Sequence, residues 1–469
     1  MKQGLKRGIV VVFLANIINL IINLLSGFIL PKELSVETYA AIKTFQLYAS
    51  YTGVLHFGFV DGIYLKYGGR KLNDIGAPVI ERNLSTMRIF QLCVAIVGVI
   101  AGLVSHNYIL AIFGLYIMPT NILSFFQYLY QAVGEFDSYS RILNGTNILK
   151  FAINLFLIFI IHTDLAYLYI LVFFIVELIM WIVIEIMFVK RAQCKFSVFS
   201  FSLADLWDNI KNGIALTVGN LSSIFLTGMD RWFIKFLLDT VAFAQYSFAV
   251  SMENLLSVAI TPITVTLYNY FCNESNEDKI RHVRNSIQVF AAFLIASAFP
   301  AKFILETYLQ KYIESVNVMF LLFGAQLFYV VVKGIYVNLY KAHKEQNKYF
   351  LRLISIIGIG FVFNVLCYLV YHGKEAFAVG TMLSAFVWLL LCIHDNKGIR
   401  YSIKEFIYLI IQECVFLTCG MLFSSVIGFV IYIAVTLVTS WLFLKQDFLF
   451  LIENAKFMVR NAVAKKTAQ

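Results

Sequence analysis

Tyr130-Gln-Ala-Val-Gly-Glu-Phe-Asp-Ser-Tyr139 returns 210 residues later as Tyr340-Lys-Ala-His-Lys-Glu-Gln-Asn-Lys-Tyr349. Tyr, Ala, Glu and Tyr keep their places in both copies. The same offset holds without a gap through Phe151/Phe361, Asn154/Asn364 and His162/His372, and a weaker echo pairs Tyr39 with Tyr246. Seven matches at one offset are hard to reconcile with chance, so the chain reads as two copies of one unit. Six apolar runs separate the copies, which therefore begin on the same side of a membrane. That is a parallel repeat about an axis along the membrane normal. Transporters built this way bind substrate between their halves. A duplicated structural bundle without transport is the plain alternative.

Working outward from these segments, the chain is 60% hydrophobic and 14% charged, against roughly a quarter charged in soluble domains. The apolar runs are continuous and about 20 residues long, not alternating ten-residue stretches, so they are read as spanning helices rather than barrel strands. Only such helices or closed barrels satisfy their backbone polar groups in lipid. The expectation is an all-α polytopic membrane protein with about fourteen transmembrane helices. Residues 1–190 form a six-helix lobe and 191–212 a cytoplasmic loop. Residues 213–395 form a second six-helix lobe, parallel to the first in a MATE-like arrangement. Helices 13 and 14 fall within 396–446, and 447–469 form a cytoplasmic tail with an interfacial helix. The first run is expected to close at Pro31, the second to be one span over Tyr39–Val60, and the eighth to be one span over Val241–Tyr270.

The net charge of +10 is a topology signal rather than a nucleic-acid footprint, because no basic cluster comes with a soluble domain. Of the 37 Lys and Arg, 27 fall on the N-terminal side. Only Lys32, Lys311 and Lys374 fall on the other, and seven lie within spans. That bias predicts both termini in the cytoplasm. The seven cysteines show no metal-ligand spacing and none falls in a predicted outer loop, so neither a zinc site nor a disulfide framework is expected. No Gly-rich phosphate loop occurs. The short outer loops leave no platform for the catalytic residues of a glycan polymerase or ligase, so no enzyme is expected.

Several features together resemble the multidrug/oligosaccharidyl-lipid/polysaccharide (MOP) exporter superfamily, and within it the O-antigen-type (Wzx-like) lipid-linked oligosaccharide flippases. These are the two six-span halves plus two extra spans and the polar second span ending Gly58-Phe-Val-Asp61-Gly62-Ile-Tyr-Leu-Lys-Tyr67-Gly68. To them are added Gln131-Ala-Val-Gly134 after span 4, and Asp230-Arg231 in span 7 with Gln245-Tyr246-Ser247 opening span 8. The second copy departs from the first with Lys341-Ala-His-Lys344. The resemblance implies a flippase in the bacterial inner membrane that moves an undecaprenyl-diphosphate-linked glycan to the periplasmic leaflet by alternating access. It implies no cofactor beyond a coupling ion, H+ or Na+. Its partners would be the lipid-linked glycan, membrane lipids and the polysaccharide polymerase and chain-length machinery, with no nucleic acid. A lipid II or teichoic-acid flippase and a multidrug exporter are the alternatives of the same fold. A multidrug exporter for cations would favour a carboxylate-lined cavity over the Lys and Arg found here.

An anionic diphosphate needs cations at membrane depth, where a charge costs roughly 2.5–3.5 kcal/mol and faces a partner or water. Lys43, Lys150, Arg231 and Lys333 are the cargo candidates, Arg231 foremost because its planar fork suits phosphate. Arg88, Lys235 and Lys302 sit near span ends, where they can snorkel. Asp61, Glu177, Asp230 and Glu253 are coupling or charge-pair candidates. Glu177 needs a partner from another helix or a proton. An Asp230–Arg231 pair that merely tunes packing is the bland reading of span 7. Asn154, Asn220 and Asn364 are polar lining or helix glue. Pro119, Pro262 and Pro300 are static kinks or hinges.

Overall fold

The computed structural model describes residues 2–192 and 200–453, which contain helices and connecting turns but no strand. It divides into two compact units, Met1–Gly228 and Met229–Gln469.

In the first unit α1 (Lys2–Glu33) runs past Pro31. A proline so near a helix end removes one backbone donor without forcing a stop. Ser35 then caps α2 (Val36–Ala49), its hydroxyl accepting from the Thr38 amide at 3.2 Å. The expected second span is broken. After α2 come a turn at Thr52–Val54 and α3 (Phe59–Tyr67). The break follows from Phe57 and Gly58, whose φ of 51° and 94° are left-handed and cannot extend a helix. Gly58 is also required for space, since a Cβ there would lie 2.5 Å from the Ile214 amide nitrogen. A short α4 (Leu72–Ile75) leads to α5 (Ala77–Val104), α6 (Tyr108–Ala132), α7 (Phe136–Phe159) and α8 (Ala166–Ala192). The core of this unit gathers Phe59, Ile63, Met87, Phe125, Phe126 and Ile142 from α3, α5, α6 and α7. Helix α9 (Leu203–Leu237) takes in ten residues of the expected inter-lobe loop, and the division between the units falls within it. Of that loop, 193–199 lie outside the described residues.

The second unit continues with α10 (Thr240–Asn254) and α11 (Ser257–Asn273), so the eighth span is also broken, at Leu255–Leu256. Pro262 lies within α11, past the break. Next come α12 (Glu277–Ile295) and α13 (Ala298–Thr307), with Pro300 in the first turn of α13. Helix α14 (Val316–Val331) passes through a π turn, Val332–Tyr336, into α15 (Val337–Ala342). α16 (Gln346–Val370), α17 (Lys374–Asp395), α18 (Ile403–Leu422) and α19 (Ser425–Phe443) complete it. Every residue of α14 except Asn317 is buried, as expected of a helix that is apolar on all sides. Large apolar side chains elsewhere stay exposed, such as Val97, Leu103 and Val104 on α5 and Val426, Val430 and Leu442 on α19. In water such a surface would be a liability; in lipid it is the solvated face. Of the expected tail, 447–453 belong to a helix that begins at 445, and 454–469 lie outside the described residues. Ten described helices are long and apolar enough to cross a membrane, or eleven if α10 and α11 count as one. α1, the broken α2–α3 pair and α9 occupy the places of the other three expected spans.

The repeat is visible in backbone detail. α6 and α15 end at Ala132 and Ala342, and α7 and α16 start at Phe136 and Gln346, each pair 210 apart. Both turns place a left-handed residue at the same position, Gly134 at φ 77° and Lys344 at φ 59°. Both close with the same bond, Glu135 N to Tyr130 O and Glu345 N to Tyr340 O, each 2.8 Å. The second copy thus keeps the turn while holding a lysine where the first has glycine.

Candidate functional site

In the first unit two deep cations are paired with acids. Lys150 on α7 donates to Glu177 Oε1 on α8 at 2.6 Å, with side chains 16% and 8% exposed. The rings of Phe173 and Tyr116 lie 5.3 and 5.9 Å from the ammonium, a favourable placement for a cation. Glu177 therefore has its partner from another helix, and the cation assigned to cargo by the sequence is bonded to it. Arg88 on α5 forms an ion pair with Glu185 on α8, whose other oxygen accepts from Trp181 Nε1 at 2.5 Å. Arg88 does not snorkel. Asp61 is buried and accepts from the Thr217 hydroxyl, while its Oδ1 has no hydrogen-bond partner among the described residues. Lys43 donates to Gln46 Oε1 at 3.0 Å and lies over the Tyr39 ring. Asn154 is buried with an orphaned Oδ1, and Asn220 is exposed.

The second unit gathers four of the candidates. Asp230 on α9 accepts from the Tyr246 hydroxyl at 2.5 Å and the Thr381 hydroxyl at 3.5 Å. Its other oxygen accepts from the Arg231 backbone amide at 2.7 Å. The bland pairing of these two side chains is thus replaced by a backbone bond. Glu253 on α10 accepts from Gln326 Nε2 on α14 at 2.5 Å. Asp230, Lys333 and Arg231 are the charges that act on it. Lys333 sits in the π turn with its ammonium 4.9 Å from the Tyr329 ring centre. A π turn inserts one residue into a helix and re-aims the side chains there, which is why such turns concentrate at functional positions.

The donors on the two carboxylates are neutral: Tyr246, Thr381, Gln326 and a backbone amide. Among the described residues neither Arg231 nor Lys333 makes an ion pair within 4.0 Å, and Arg231 Nε is buried without a hydrogen-bond partner. Both side chains are half-buried. Unspent guanidinium and ammonium donors in a place of low dielectric are what an anion would bind. Lys235 lies over the Phe243 ring. Lys302, expected to snorkel, is buried. Its ammonium donates to the Gly420 and Phe423 carbonyls at 2.8 and 2.5 Å, satisfying the exposed acceptors at the end of α18. Asn364 is buried and donates to Gly360 O.

Two features escaped the sequence reading. Arg284, counted there as a loop cation, is fully buried. It bonds Glu405 at 2.8 Å and Ile399 O at 2.5 Å and stacks on Tyr401. Its acid lies 121 positions away, and no local pattern announces it. Glu413, in the middle of α18, is buried as well. An acid inside an apolar run is the signal that marked Glu177, and it applied here too.

These helices and buried charges define a polytopic all-α membrane protein of two units, each carrying one copy of the repeated turn. No protein-family model matches the chain, and no curated protein matches it. Solved structures do. Lipid II flippase MurJ, in an inward closed conformation, is similar with a TM-score of 0.56 and 15% identity, over 94% of this chain and 99% of that one. The eukaryotic MATE transporter AtDTX14 is similar with a TM-score of 0.50 and 11% identity, over 89% and 100%. At such identities the likeness is one of fold: the chain has the fold shared by MurJ and the MATE transporters.

Proposed function

We propose that this chain is a MOP-superfamily flippase. It moves an undecaprenyl-diphosphate-linked oligosaccharide, an O-antigen or related surface-polysaccharide repeat unit, from the cytoplasmic to the periplasmic leaflet of the bacterial inner membrane. It works by alternating access, with both termini cytoplasmic, and hands its product to the polymerase and chain-length machinery. The observation that carries this reading is that Arg231 and Lys333, inside the spans of the second unit, make no ion-pair contact among the described residues although Asp230 and Glu253 lie in the same cluster. Arg231 takes the diphosphate through its planar fork and Lys333 adds a point charge. Lys150 and Glu177 hold α7 to α8.

Coupling to an ion gradient falls to Asp230 and Glu253. Among the described residues no group of three or more His, Cys, Asp or Glu gathers to hold a metal ion. Either carboxylate would take a proton, or a Na+ ion together with neighbouring hydroxyl, amide and carbonyl oxygens. The likeness to MurJ along nearly the whole of both chains supports a second reading, with lipid II or a similar diphospholipid as cargo.

The test is surface glycan display in cells that depend on this chain. Arg231→Ala and Lys333→Ala are expected to abolish display while the protein stays in the membrane at normal abundance. Loss of peptidoglycan synthesis instead of surface glycan would favour the lipid II reading. Unchanged display in both variants would sink the cation assignment.

A further inference from the structure

Glu413 stands apart from every acid discussed so far. It is the eleventh of the 20 residues of α18 and is 7% exposed. Neither of its carboxyl oxygens has a hydrogen-bond partner among the described residues. It rests on Gly324 of the buried helix α14, where a Cβ would lie 2.2 Å from Glu413 Oε1 and 3.1 Å from its carboxyl carbon. The missing side chain at Gly324 is thus the space that the acid fills.

The groups around it are committed elsewhere. Gln412, its neighbour, donates to Thr439 at 2.6 Å and accepts from Thr436 at 2.8 Å on α19. Tyr432 of α19 acts on Glu413 electrostatically, but its hydroxyl donates to Ala292 O at 2.8 Å. Tyr408 is bonded to Ser440. α14 has no charged residue, and Tyr329 is its one titratable side chain; α19 likewise carries no charge. On α12, Arg284 is held by Glu405 and His282 by Asp447, while Glu277, Asp278, Lys279 and Arg281 lie in its first two turns. Lys302 is spent on the carbonyls that end α18. Among the described residues no cation is left to neutralise a carboxylate at this place, and a bare buried charge is resolved by taking up a proton.

We propose that Glu413 is a proton-binding site. The proton is bound while α18 lies on α14. It leaves when α18 withdraws far enough for water to reach the carboxyl. The O–H bond breaks, water accepts the proton, and the carboxylate is then hydrated. Protonation of this one side chain therefore favours the packed position of α18. The site is distinct from Asp230 and Glu253, and its test reads a proton and no cargo, so its failure would leave the flippase reading standing.

The experiment is infrared difference spectroscopy on the full chain in lipid nanodiscs, titrated across neutral pH. A protonated-carboxyl band is expected in the wild type at neutral pH, and its Glu413 component is lost in Glu413→Gln. Hydrogen–deuterium exchange along α18 should rise with pH in the wild type and stay flat in Glu413→Gln. Gly324→Ala, which crowds the carboxyl off its seat, should shift the loss of the band to lower pH. This reading remains available if the glutamine variant does not fold. A neutral-pH spectrum unaltered by Glu413→Gln, or a band in Gly324→Ala that titrates as in the wild type, would overturn the proposal.

Discussion

Lys150 in the first unit and Arg231 in the second are both cations set inside apolar helices, yet their surroundings differ. Lys150 meets a carboxylate at 2.6 Å, and Arg88 nearby is paired in the same way. Around Arg231 and Lys333 the two carboxylates are occupied by hydroxyl, amide and backbone donors. The second unit closes ion pairs too, as in the buried Arg284–Glu405 and in Arg352–Asp395, but not at Arg231 or Lys333. Arg88 and Lys150 are thus closed into ion pairs. Arg231 and Lys333 make none within 4.0 Å among the described residues. Counting charges in spans does not separate these cases; the identity of each charge's nearest neighbour does.

The sharpest way to break this comparison is to remove one half of the closed pair. Lys150→Met leaves Glu177 buried and alone, a loss of about 3–5 kcal/mol. It should show as a large drop in unfolding temperature of the purified protein. The double variant Lys150→Met/Glu177→Met should recover most of that loss, because apolar replacements of a buried pair are often close to neutral. Next in size is Arg231→Ala. It removes charge-assisted bonds to a phosphate worth about 1.5–3 kcal/mol each, a roughly ten- to hundredfold loss of cargo affinity, with little change in unfolding temperature. Arg231→Lys should recover only part of it, since a point charge does not replace a fork.

Gln326→Leu sharpens the picture of the open cluster. It strips Glu253 of its amide donor and should cost about 1–3 kcal/mol, measured by chemical denaturation. The smallest effect compares the two repeat turns. Lys344 carries a left-handed strain of about 1–2 kcal/mol that Gly134 avoids. Lys344→Gly should therefore raise stability slightly and Gly134→Lys lower it by a similar amount.

The fold was largely legible because its signals are local or periodic. Apolar runs of spanning length give the helices, and the repeat read at an offset of 210 falls on matching turns at Gly134 and Lys344. The breaks were not legible. Phe57–Gly58 interrupts an apolar run through backbone conformation and a close approach to Ile214, and the sequence shows only a glycine there. The candidate site was half legible. Asp230, Arg231, Glu253 and Lys333 were marked by charge inside spans, and the structure brings these four together. Partner choice was hidden, because Lys150 and Glu177 sit 27 residues apart, and Arg284 and Glu405 sit 121 apart, on helices whose facing sides no single sequence reveals.

The most direct test is binding of undecaprenyl diphosphate to the purified chain in nanodiscs, read by native mass spectrometry. The account predicts that Arg231→Ala/Lys333→Ala loses the bound lipid while Lys150→Met/Glu177→Met retains it. Retention by the first and loss by the second would mean that the anion is held where the charges look closed, and the division drawn between the two units would be wrong.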